Sequence, residues 1–248
     1  MALVSILIPA YNEERFIDTL LQRVAAVNLH SLGHTKEIIV IDDGSTDGTA
    51  QQVRAFQHKH KNVTLILLSH PQNKGKGAAI RTGIAHATGD IILIQDADLE
   101  YDPNEYVNLL RPFSDPLLSV VYGTRYLSVA DDTKKSFFFK RKYKKSYFLA
   151  YFAGRILTWT TNLLYGAHIT DEATCYKAFR ASVLKSIPLQ CTRFEFCPEV
   201  TAKILKRGYN IVEVPISYDP RTYDEGKKIN YKDGFEALWV LLKYRFKD

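Results

Sequence analysis

The chain has 248 residues, 46% of them hydrophobic, which is enough for one sizeable α/β domain built around a single core. Its formal net charge of +6 suits an anionic partner such as a nucleotide, a nucleic acid or a phospholipid surface, although charge alone does not choose between these. Three cysteines without metal-ligand spacing argue against a disulfide framework, and the absence of a signal-peptide pattern predicts a cytosolic protein.

The first predicted unit runs from a strand through a polar loop into a helix. Residues 3–8 read as an apolar strand, and residues 9–28 then open and continue an amphipathic helix. At the start of this helix, Asn12 is suited to act as the N-cap, while Glu13 and Glu14 favour the positive end of the helix dipole.

The second unit ends its strand in acidic residues. The apolar strand 37–41 leads into Asp42, Asp43 and a Gly-Ser turn, which is typical of a strand-loop-helix unit with a polar edge for ligands. Further strands are predicted over residues 62–68, 90–95 and 118–122, and further helices over residues 77–87 and 103–113. This alternation implies βαβ crossovers and a mostly parallel sheet.

Three carboxylates follow one of these strands. Asp96, Asp98 and Glu100 come after the apolar run 91–94, at the carboxyl end where open α/β sheets bind ligands. Alternating carboxylates there suit a hard cation, Mg²⁺ or Mn²⁺, which usually shares its coordination shell with substrate phosphates. A solvated turn could carry the same residues, so the pattern gains weight only because the two earlier strands also end in polar loops.

The Lys-Gly-Lys-Gly loop over residues 74–77 has only a superficial likeness to a phosphate loop. It lacks the spacing and the terminal Lys-Ser/Thr of a nucleoside-triphosphatase loop, which excludes an ATPase of that class. Its glycines would let the backbone approach a ligand and its lysines could face phosphate, but a surface turn explains the loop equally well.

The second half of the chain is basic and aromatic. Seven Lys and Arg residues between positions 134 and 145 surround Phe137–Phe139, and residues 146–167 form a long apolar segment. This segment approaches the ~20 residues that span a bilayer, but Arg155 and several Thr and Asn residues dilute it. We expect an interfacial helix with basic neighbours on anionic headgroups; a helix packed on the sheet is the main alternative, and a transmembrane span is the least favoured.

Near the C-terminus, a strand at 211–216 precedes a polar loop at 220–228, whose cations could close over a diphosphate. Residues 235–246 then read as an apolar-aromatic helix with cations near its end. Docking of this helix on the domain and docking on a membrane are both open.

A series of short motifs in chain order carries a family resemblance. The motifs are Pro9–Glu13, Asp42–Ser45, Asn73–Gly77, Asp96–Asp98, Gly123–Tyr126 and Glu213–Ile216, followed by Arg221 and Lys227. With them the chain resembles inverting family-2 glycosyltransferases of the GT-A fold, and within that family the dolichyl- and polyprenyl-phosphate sugar synthases.

The resemblance implies a fold and its boundaries. Residues 1–230 would form a GT-A, Rossmann-like α/β domain with a mostly parallel central sheet flanked by helices. This domain would include a basic, aromatic, membrane-facing insert at about 131–168. Residues 231–248 would form a C-terminal amphipathic helix, and both additions would lie at the periphery.

By the same resemblance, the chain would be a metal-dependent enzyme that moves a single sugar, with inversion, from a UDP- or GDP-sugar to a polyprenyl phosphate. The implied cofactor is Mg²⁺ or Mn²⁺. The implied place of action is the cytosolic face of a membrane, reached peripherally or through an integral membrane partner subunit, and no nucleic-acid partner is implied. Transfer to a glycan or protein hydroxyl, and a non-catalytic nucleotide-sugar-binding scaffold, are the alternatives.

The resemblance also assigns roles to residues. The nucleotide-sugar would be bound by Pro9, Ala10, Tyr11, Glu13, Val40, Asp42, Asp96, Ala97 and Asp98. The metal would be held by Asp96, Asp98 and Glu100, and the acceptor phosphate or diphosphate by Arg125, Arg221 and Lys227. The catalytic set would be Asp98, Arg125 and Asp171, whereas Asp43 is expected to orient its loop rather than touch the ligand.

The chemistry of the acceptor decides whether a general base is needed. A sugar hydroxyl is a poor nucleophile and needs a carboxylate to take its proton. A lipid monophosphate has a second pKa of about 6 and therefore already arrives as an anion. Asp171 matches an Asp that precedes a Ser/Cys-Gly-Phe-like turn in relatives, but here Tyr176 follows Cys175 where Gly is more usual. Base, donor-positioning and turn-capping roles are therefore open for Asp171, and we favour positioning.

Overall fold

The computed structural model describes residues 1–126, 145–219 and 231–247, and these residues form a seven-stranded sheet flanked by helices. The strands are β1 (Ala2–Ala10), β2 (His34–Asp42), β3 (Leu65–Ser69), β4 (Ile91–Ile94), β5 (Val120–Thr124), β6 (Lys177–Arg180) and β7 (Ile211–Pro215). The helices are α1 (Ile17–Ala26), α2 (Thr49–Lys59), α3 (Lys76–His86), α4 (Tyr106–Leu110), α5 (Lys145–Tyr165), α6 (Ala181–Ser186), α7 (Phe196–Lys206) and α8 (Tyr231–Phe246).

The sheet is mostly parallel, as the alternation of strands and helices predicts. Its strand order is β3-β2-β1-β4-β6-β5-β7, and within the described ranges only β6 runs antiparallel to its neighbours. The loops that follow β1, β2, β4 and β5 and the loop that precedes β6 therefore meet at one edge of the sheet. This is the edge at which open α/β sheets bind ligands.

Helices cover both faces of the sheet, because successive side chains of a strand point to opposite faces. In β1, Val4, Ile6 and Ile8 are fully buried in a cluster that includes the apolar face of α1. Leu7 between them belongs to a second cluster, with the apolar residues of α3 and α7. Burial on both faces explains why these strands read as continuous apolar runs.

The predicted first helix begins later than its sequence suggests, and Asn12 does not cap it. Helix α1 starts at Ile17, after Phe16, and no side chain caps its N-terminus. Asn12 instead adopts a left-handed backbone conformation with φ 50°, and its side-chain oxygen accepts a hydrogen bond from the Thr46 backbone N–H at 2.8 Å. The asparagine thus joins the loops after β1 and β2, a contact between segments that local helix signals could not reveal.

The helix predicted over residues 103–113 is broken into three short pieces. A 3₁₀ turn at Pro103–Glu105 precedes α4, and a second 3₁₀ turn at Arg111–Ser114 follows it. Pro112 lies in the first turn of the second piece, and a proline has no N–H to continue an α-helical ladder. The sequence analysis predicts neither strand β6 nor the helices α6 and α7.

Helices α5 and α8 form an outer layer on α7. Leu157 of α5, Ala202 of α7 and Leu241 of α8 share one buried cluster, and the Tyr165 hydroxyl donates to the Leu241 carbonyl oxygen at 2.6 Å. In the part of the chain that the structure describes, none of the helices combines the length and the apolar composition needed to cross a membrane. The basic segment before α5 lies outside the described residues.

Candidate functional site

A cavity of about 1260 Å³ opens at the ligand-binding edge of the sheet. Its walls come from the loops after β1, β4 and β5, from the loop before β6, and from α5, α7 and α8. The residues assigned to the site by sequence that line it are Pro9, Ala10, Tyr11, Glu13, Asp96, Ala97, Asp98, Glu100 and Arg125. The structure therefore brings most of the predicted site together, in a space large enough for a small ligand and its co-substrate.

Two predicted nucleotide-binding residues lie elsewhere. The side chain of Val40 is fully buried in the core beneath α1, because the alternation along β2 points it to that face. Asp42 is also buried, and its Oδ1 accepts a hydrogen bond from the backbone N–H of Ser45 at 3.1 Å. Neither belongs to the described lining of the cavity.

Asp43, in the loop after β2, lines the cavity and also ties this loop to the loop between β3 and α3. Its carboxylate accepts hydrogen bonds from the backbone N–H groups of Lys74 and Gly75, at 2.9 and 2.7 Å. His70 Nδ1 lies 2.6 Å from the same carboxylate. Gly75 has φ +93°, and a Cβ there would lie 2.3 Å from the Thr192 carbonyl oxygen, so only glycine fits this close approach.

An ion pair lies at the end of β4. The Lys76 ammonium, at the start of α3, lies 2.5 Å from Asp96 Oδ1 and also donates to the Cys175 sulfur at 3.2 Å. Burial acts to lower the pKa of Lys76, but Asp96 outweighs it and raises that pKa well above its ordinary value. The lysine is therefore a fixed positive charge on the cavity wall, beside the first carboxylate of the predicted metal site.

The predicted metal triad is not assembled as three converging ligands. Among the described residues, no group of three or more His, Cys, Asp and Glu side chains is placed to hold a metal ion. Leu99 adopts a left-handed conformation with φ 63°, and Asp98 Oδ1 accepts from the Glu100 backbone N–H at 3.1 Å. The Glu100 carboxylate accepts from the Tyr218 hydroxyl at 2.6 Å. Asp96 and Asp98 still present hard oxygen ligands to the cavity, and this fits a cation that completes its shell with substrate phosphates.

Arg125 and Asp171, which the family resemblance places in the same catalytic set, are bonded to each other. The Arg125 Nε and one terminal nitrogen donate to the two oxygens of Asp171 at 2.7 and 2.8 Å, and the Arg125 backbone N–H adds a third bond at 3.0 Å. Burial acts to lower the pKa of Arg125, but Asp171 outweighs it and holds that pKa well above its ordinary value. Asp171 is only 1% exposed. Both of its oxygens are occupied by a cation, an arrangement that suits positioning better than proton abstraction.

Glu213 of strand β7 holds the loop that carries Asp171. The two oxygens of Glu213 accept hydrogen bonds from the backbone N–H groups of Thr170 and Asp171, at 2.7 and 3.0 Å. The Arg125 guanidinium also lies over the Tyr218 ring, 4.9 Å from its centroid. Strand β7 thus supports the arginine–aspartate pair, which gives the Glu-Val-Pro-Ile motif a structural role.

Sequence reasoning missed the wall of the cavity opposite the strand ends. Phe152 of α5, Phe196 and Cys197 of α7, and Phe235 of α8 line the cavity there. Sequence reasoning also missed the buried Glu172, which lines the cavity from the loop before β6 and directly follows Asp171. The helix residues approach the site only through tertiary packing, so no local motif marks them. The predicted acceptor residues Arg221 and Lys227 lie outside the described residues.

Comparisons with known proteins assign the chain to a family. A family model described as Glycosyl transferase family 2 matches residues 5–187. The chain is 31% identical over 226 residues to the undecaprenyl-phosphate 4-deoxy-4-formamido-L-arabinose transferase of Edwardsiella ictaluri, a match that covers 90% of this chain and 62% of that protein. It is 29% identical over 255 residues to the UDP-N-acetylglucosamine–dolichyl-phosphate N-acetylglucosaminyltransferase of Methanococcus voltae, covering 97% and 95%.

A solved structure shares the fold. The glucosyl-3-phosphoglycerate synthase of Mycobacterium tuberculosis, crystallised with Mn²⁺, UDP and glucosyl-3-phosphoglycerate, superposes with a TM-score of 0.69 at 19% identity. The superposition covers 98% of this chain and 80% of that one. A second crystal structure of the same synthase, with Mg²⁺ and UDP, gives a TM-score of 0.69 at 18% identity, covering 98% and 79%. The GT-A architecture expected from the sequence is confirmed.

Proposed function

Because the chain belongs to glycosyl transferase family 2, and is therefore a sugar-transferring enzyme, we propose that it moves one sugar, with inversion, from a UDP- or GDP-sugar to a polyprenyl phosphate. The observation that carries this proposal is the arrangement of the cavity. Carboxylates and a fixed lysine lie at the strand ends, a half-buried arginine lies beside them, and an exposed apolar surface borders the opening.

The nucleotide would occupy the end of the cavity near β1. The Tyr11 ring can wall in or stack on a base, and the Glu13 carboxylate can accept hydrogen bonds from base N–H or ribose hydroxyl groups. Asp96 and Asp98 would hold Mg²⁺ or Mn²⁺, which supplies Lewis-acid stabilisation of the nucleoside diphosphate leaving group when bound. The pairing of Lys76 with Asp96 adds a protein cation near the same leaving group.

The surface beside the opening supports a lipid acceptor. Of the eleven large apolar side chains that are exposed in the described ranges, eight lie on α5 and α8. We call these eight the α5/α8 apolar face: Phe152, Ile156, Trp159, Leu163, Phe235, Trp239, Leu242 and Phe246. On each helix the members repeat with the spacing i, i+4, i+7, i+11, which places them along one side.

The α5/α8 apolar face is suited to the interfacial region of a membrane. It contains two tryptophans that are about two-thirds exposed, and tryptophan rings favour the boundary between headgroups and acyl chains. Lys243, Arg245 and Lys247 at the end of α8 could face anionic headgroups. Phe152 and Phe235 belong both to this face and to the cavity lining, so a lipid tail on the face could place its phosphate inside. This favours peripheral action at the cytosolic membrane face, with or without an integral membrane partner.

The arginine–aspartate pair favours a phosphate acceptor over a hydroxyl. A polyprenyl phosphate is already anionic and needs a cation to place one of its oxygens opposite the leaving nucleotide. Arg125 can provide that cation, together with Arg221 and Lys227 as further candidates. A hydroxyl acceptor would need Asp171 as a base, yet Arg125 occupies both oxygens of that carboxylate.

The proposal is tested by incubating the protein with a panel of UDP- and GDP-sugars, Mn²⁺ or Mg²⁺, and a short polyprenyl phosphate. We expect one donor to yield a glycosyl polyprenyl phosphate and a nucleoside diphosphate, detected by mass spectrometry. The matching polyprenol, which lacks the phosphate, serves as the control acceptor and should not react. Transfer to polyprenol or to a glycan in preference to the phosphate would contradict the proposed acceptor.

A further inference from the structure

Glu172 is a buried residue, and within the described ranges its carboxylate oxygens have no hydrogen-bond partner. It lines the cavity, its side chain is fully buried, and neither Oε1 nor Oε2 has a hydrogen-bond partner among the described residues. Its backbone is anchored instead: the N–H donates to the Thr158 hydroxyl at 3.1 Å, and the carbonyl oxygen accepts from the Lys177 ammonium at 2.8 Å. A buried carboxylate without partners is costly unless a ligand supplies hydrogen bonds to it.

The groups around Glu172 are engaged elsewhere. The Lys177 ammonium lies over the Tyr122 ring, 3.5 Å from its centroid, in addition to its bond to the Glu172 backbone. The Thr201 hydroxyl acts to lower the pKa of the Glu172 carboxyl, and it also shares a 2.9 Å hydrogen bond with the Tyr122 hydroxyl in which either oxygen can be the donor. Burial raises the pKa of the Glu172 carboxyl above its ordinary value, and Lys177 only partly opposes this.

The position of Glu172 along the sheet edge indicates which part of a substrate it meets. The loop before β6 lies next to the end of β4, because β6 pairs with β4 on one side and with β5 on the other. The nucleotide would lie on the β1 side of Asp96 and Asp98, and the acceptor phosphate near Arg125 at the end of β5. Glu172 therefore lies on the side of the carboxylates towards which the transferred sugar would extend.

The chemistry of the carboxylate selects among these ligand groups. A diphosphate and a lipid phosphate carry negative charge and offer no donor to an ionised carboxylate, whereas a sugar carries hydroxyl groups, and an amino sugar carries N–H groups. We infer that Glu172 binds the transferred sugar by accepting hydrogen bonds from its hydroxyl or N–H groups, and so helps to select the donor. This inference rests on the proposed function, because it requires a nucleotide-sugar in the cavity.

The test compares binding of a nucleoside diphosphate with binding of its sugar conjugate. Titration calorimetry with Mn²⁺ and no acceptor would use UDP, UDP-glucose, UDP-N-acetylglucosamine, GDP and GDP-mannose on wild type, Glu172→Gln and Glu172→Asp. The quantity compared is the dissociation constant of the preferred donor divided by that of the free diphosphate. We expect Glu172→Gln to raise this ratio about tenfold, which is the loss typical of a charge-assisted hydrogen bond. Binding of the diphosphate alone should be unchanged, and Glu172→Asp should give a smaller rise.

Glu199→Gln provides a matched control, because Glu199 is an equally buried glutamate that is fully bonded within the protein. It should leave the ratio unchanged. An unchanged ratio in Glu172→Gln, or a parallel loss of diphosphate binding, would overturn the inference while leaving the proposed function standing. Failure of wild type to bind any nucleotide would overturn both, whereas sugar-dependent binding without transfer to polyprenyl phosphate would overturn only the proposed acceptor.

Discussion

The two ends of the cavity are built in opposite ways. At the end formed by the loops after β1, β2 and β4, polar side chains are held by bonds within the chain: Asp43 accepts from two backbone N–H groups, and Asp96 lies against Lys76. At the other end, α5 and α8 each expose a row of aromatic and aliphatic side chains. The polar end is preorganised for an anionic ligand, whereas the apolar end exposes a hydrophobic surface that a binding partner would bury.

The largest expected effect lies at the polar end. Asp98→Ala should lower kcat/KM by roughly 10³-fold, because loss of one oxygen ligand leaves the developing charge on the diphosphate uncompensated. Excess chelator should abolish turnover to a similar extent, and added Mn²⁺ or Mg²⁺ should restore it only in wild type. Transfer is measured at saturating acceptor, with Asp115→Ala, which removes an exposed carboxylate in a turn, as the control. Full turnover in excess chelator would remove the metal from the proposed mechanism.

The next effect lies at the arginine–aspartate pair, where the two ends of the cavity meet. Arg125→Lys keeps the charge but loses the bidentate fork, so kcat/KM for the acceptor should fall roughly 10–100-fold. Asp171→Asn should retain measurable turnover, because a positioning residue costs less than the factor of about 10²–10⁴ typical of a general base. Both are measured at saturating donor. An inactive Asp171→Asn beside a nearly normal Arg125→Lys would indicate a hydroxyl acceptor.

The apolar end should show a smaller effect, on membrane binding. Wild type should co-sediment with phosphatidylglycerol vesicles, and salt should weaken the binding because it screens the attraction of basic residues for headgroups. The double variant Trp159→Ser, Trp239→Ser should partition roughly tenfold less, since each ring would bury part of its apolar surface in the interface. Leu117→Ser removes an even more exposed apolar side chain that lies outside the α5/α8 apolar face, and it should not change the binding. Recovery of wild type in the supernatant at low salt would refute peripheral binding by this chain.

The same contrast explains what could be predicted from sequence. The polar end is encoded locally: each apolar run is followed within a few residues by the polar groups that line the cavity, as in Ile91–Ile94 followed by Asp96 and Asp98. Such patterns predict both the strands and the edge of the sheet where they meet. The prediction of a mostly parallel topology was correct for this reason, whereas the GT-A architecture was expected from the family resemblance.

What could not be predicted depends on contacts between distant segments. Arg125 and Asp171 lie 46 positions apart, and Lys76 and Cys175 lie 99 positions apart, so their pairing follows from the fold alone. Strand β6 is four residues long and is recognisable only by its place between β4 and β5. Val40 shows the converse, since its strand was predicted correctly but the pleat turns its side chain away from the cavity.

The smallest expected effect concerns Glu172, which lies between the two ends, and it is a gain in stability. Because the folded-state pKa of this carboxyl is raised, the native protein binds a proton more readily than the unfolded chain, and stability falls as pH rises above the unfolded value of about 4.3. The Glu172→Gln variant lacks this loss. At pH 7 we therefore expect its free energy of unfolding to exceed that of wild type by about 1 kcal/mol, and this difference should vanish towards pH 4.

Urea unfolding of the two proteins between pH 4 and pH 7 measures this difference directly. Glu199→Gln should change stability in the opposite direction. Burial acts to raise the pKa of Glu199, but the hydrogen bonds from Lys203 and the Gln190 backbone outweigh it and lower that pKa. Its contribution is therefore present above pH ~4.3 and is lost as pH falls through the folded value. If Glu172→Gln also destabilised the protein at pH 7, the carboxylate would be part of the structural framework of the cavity rather than a group waiting for a ligand.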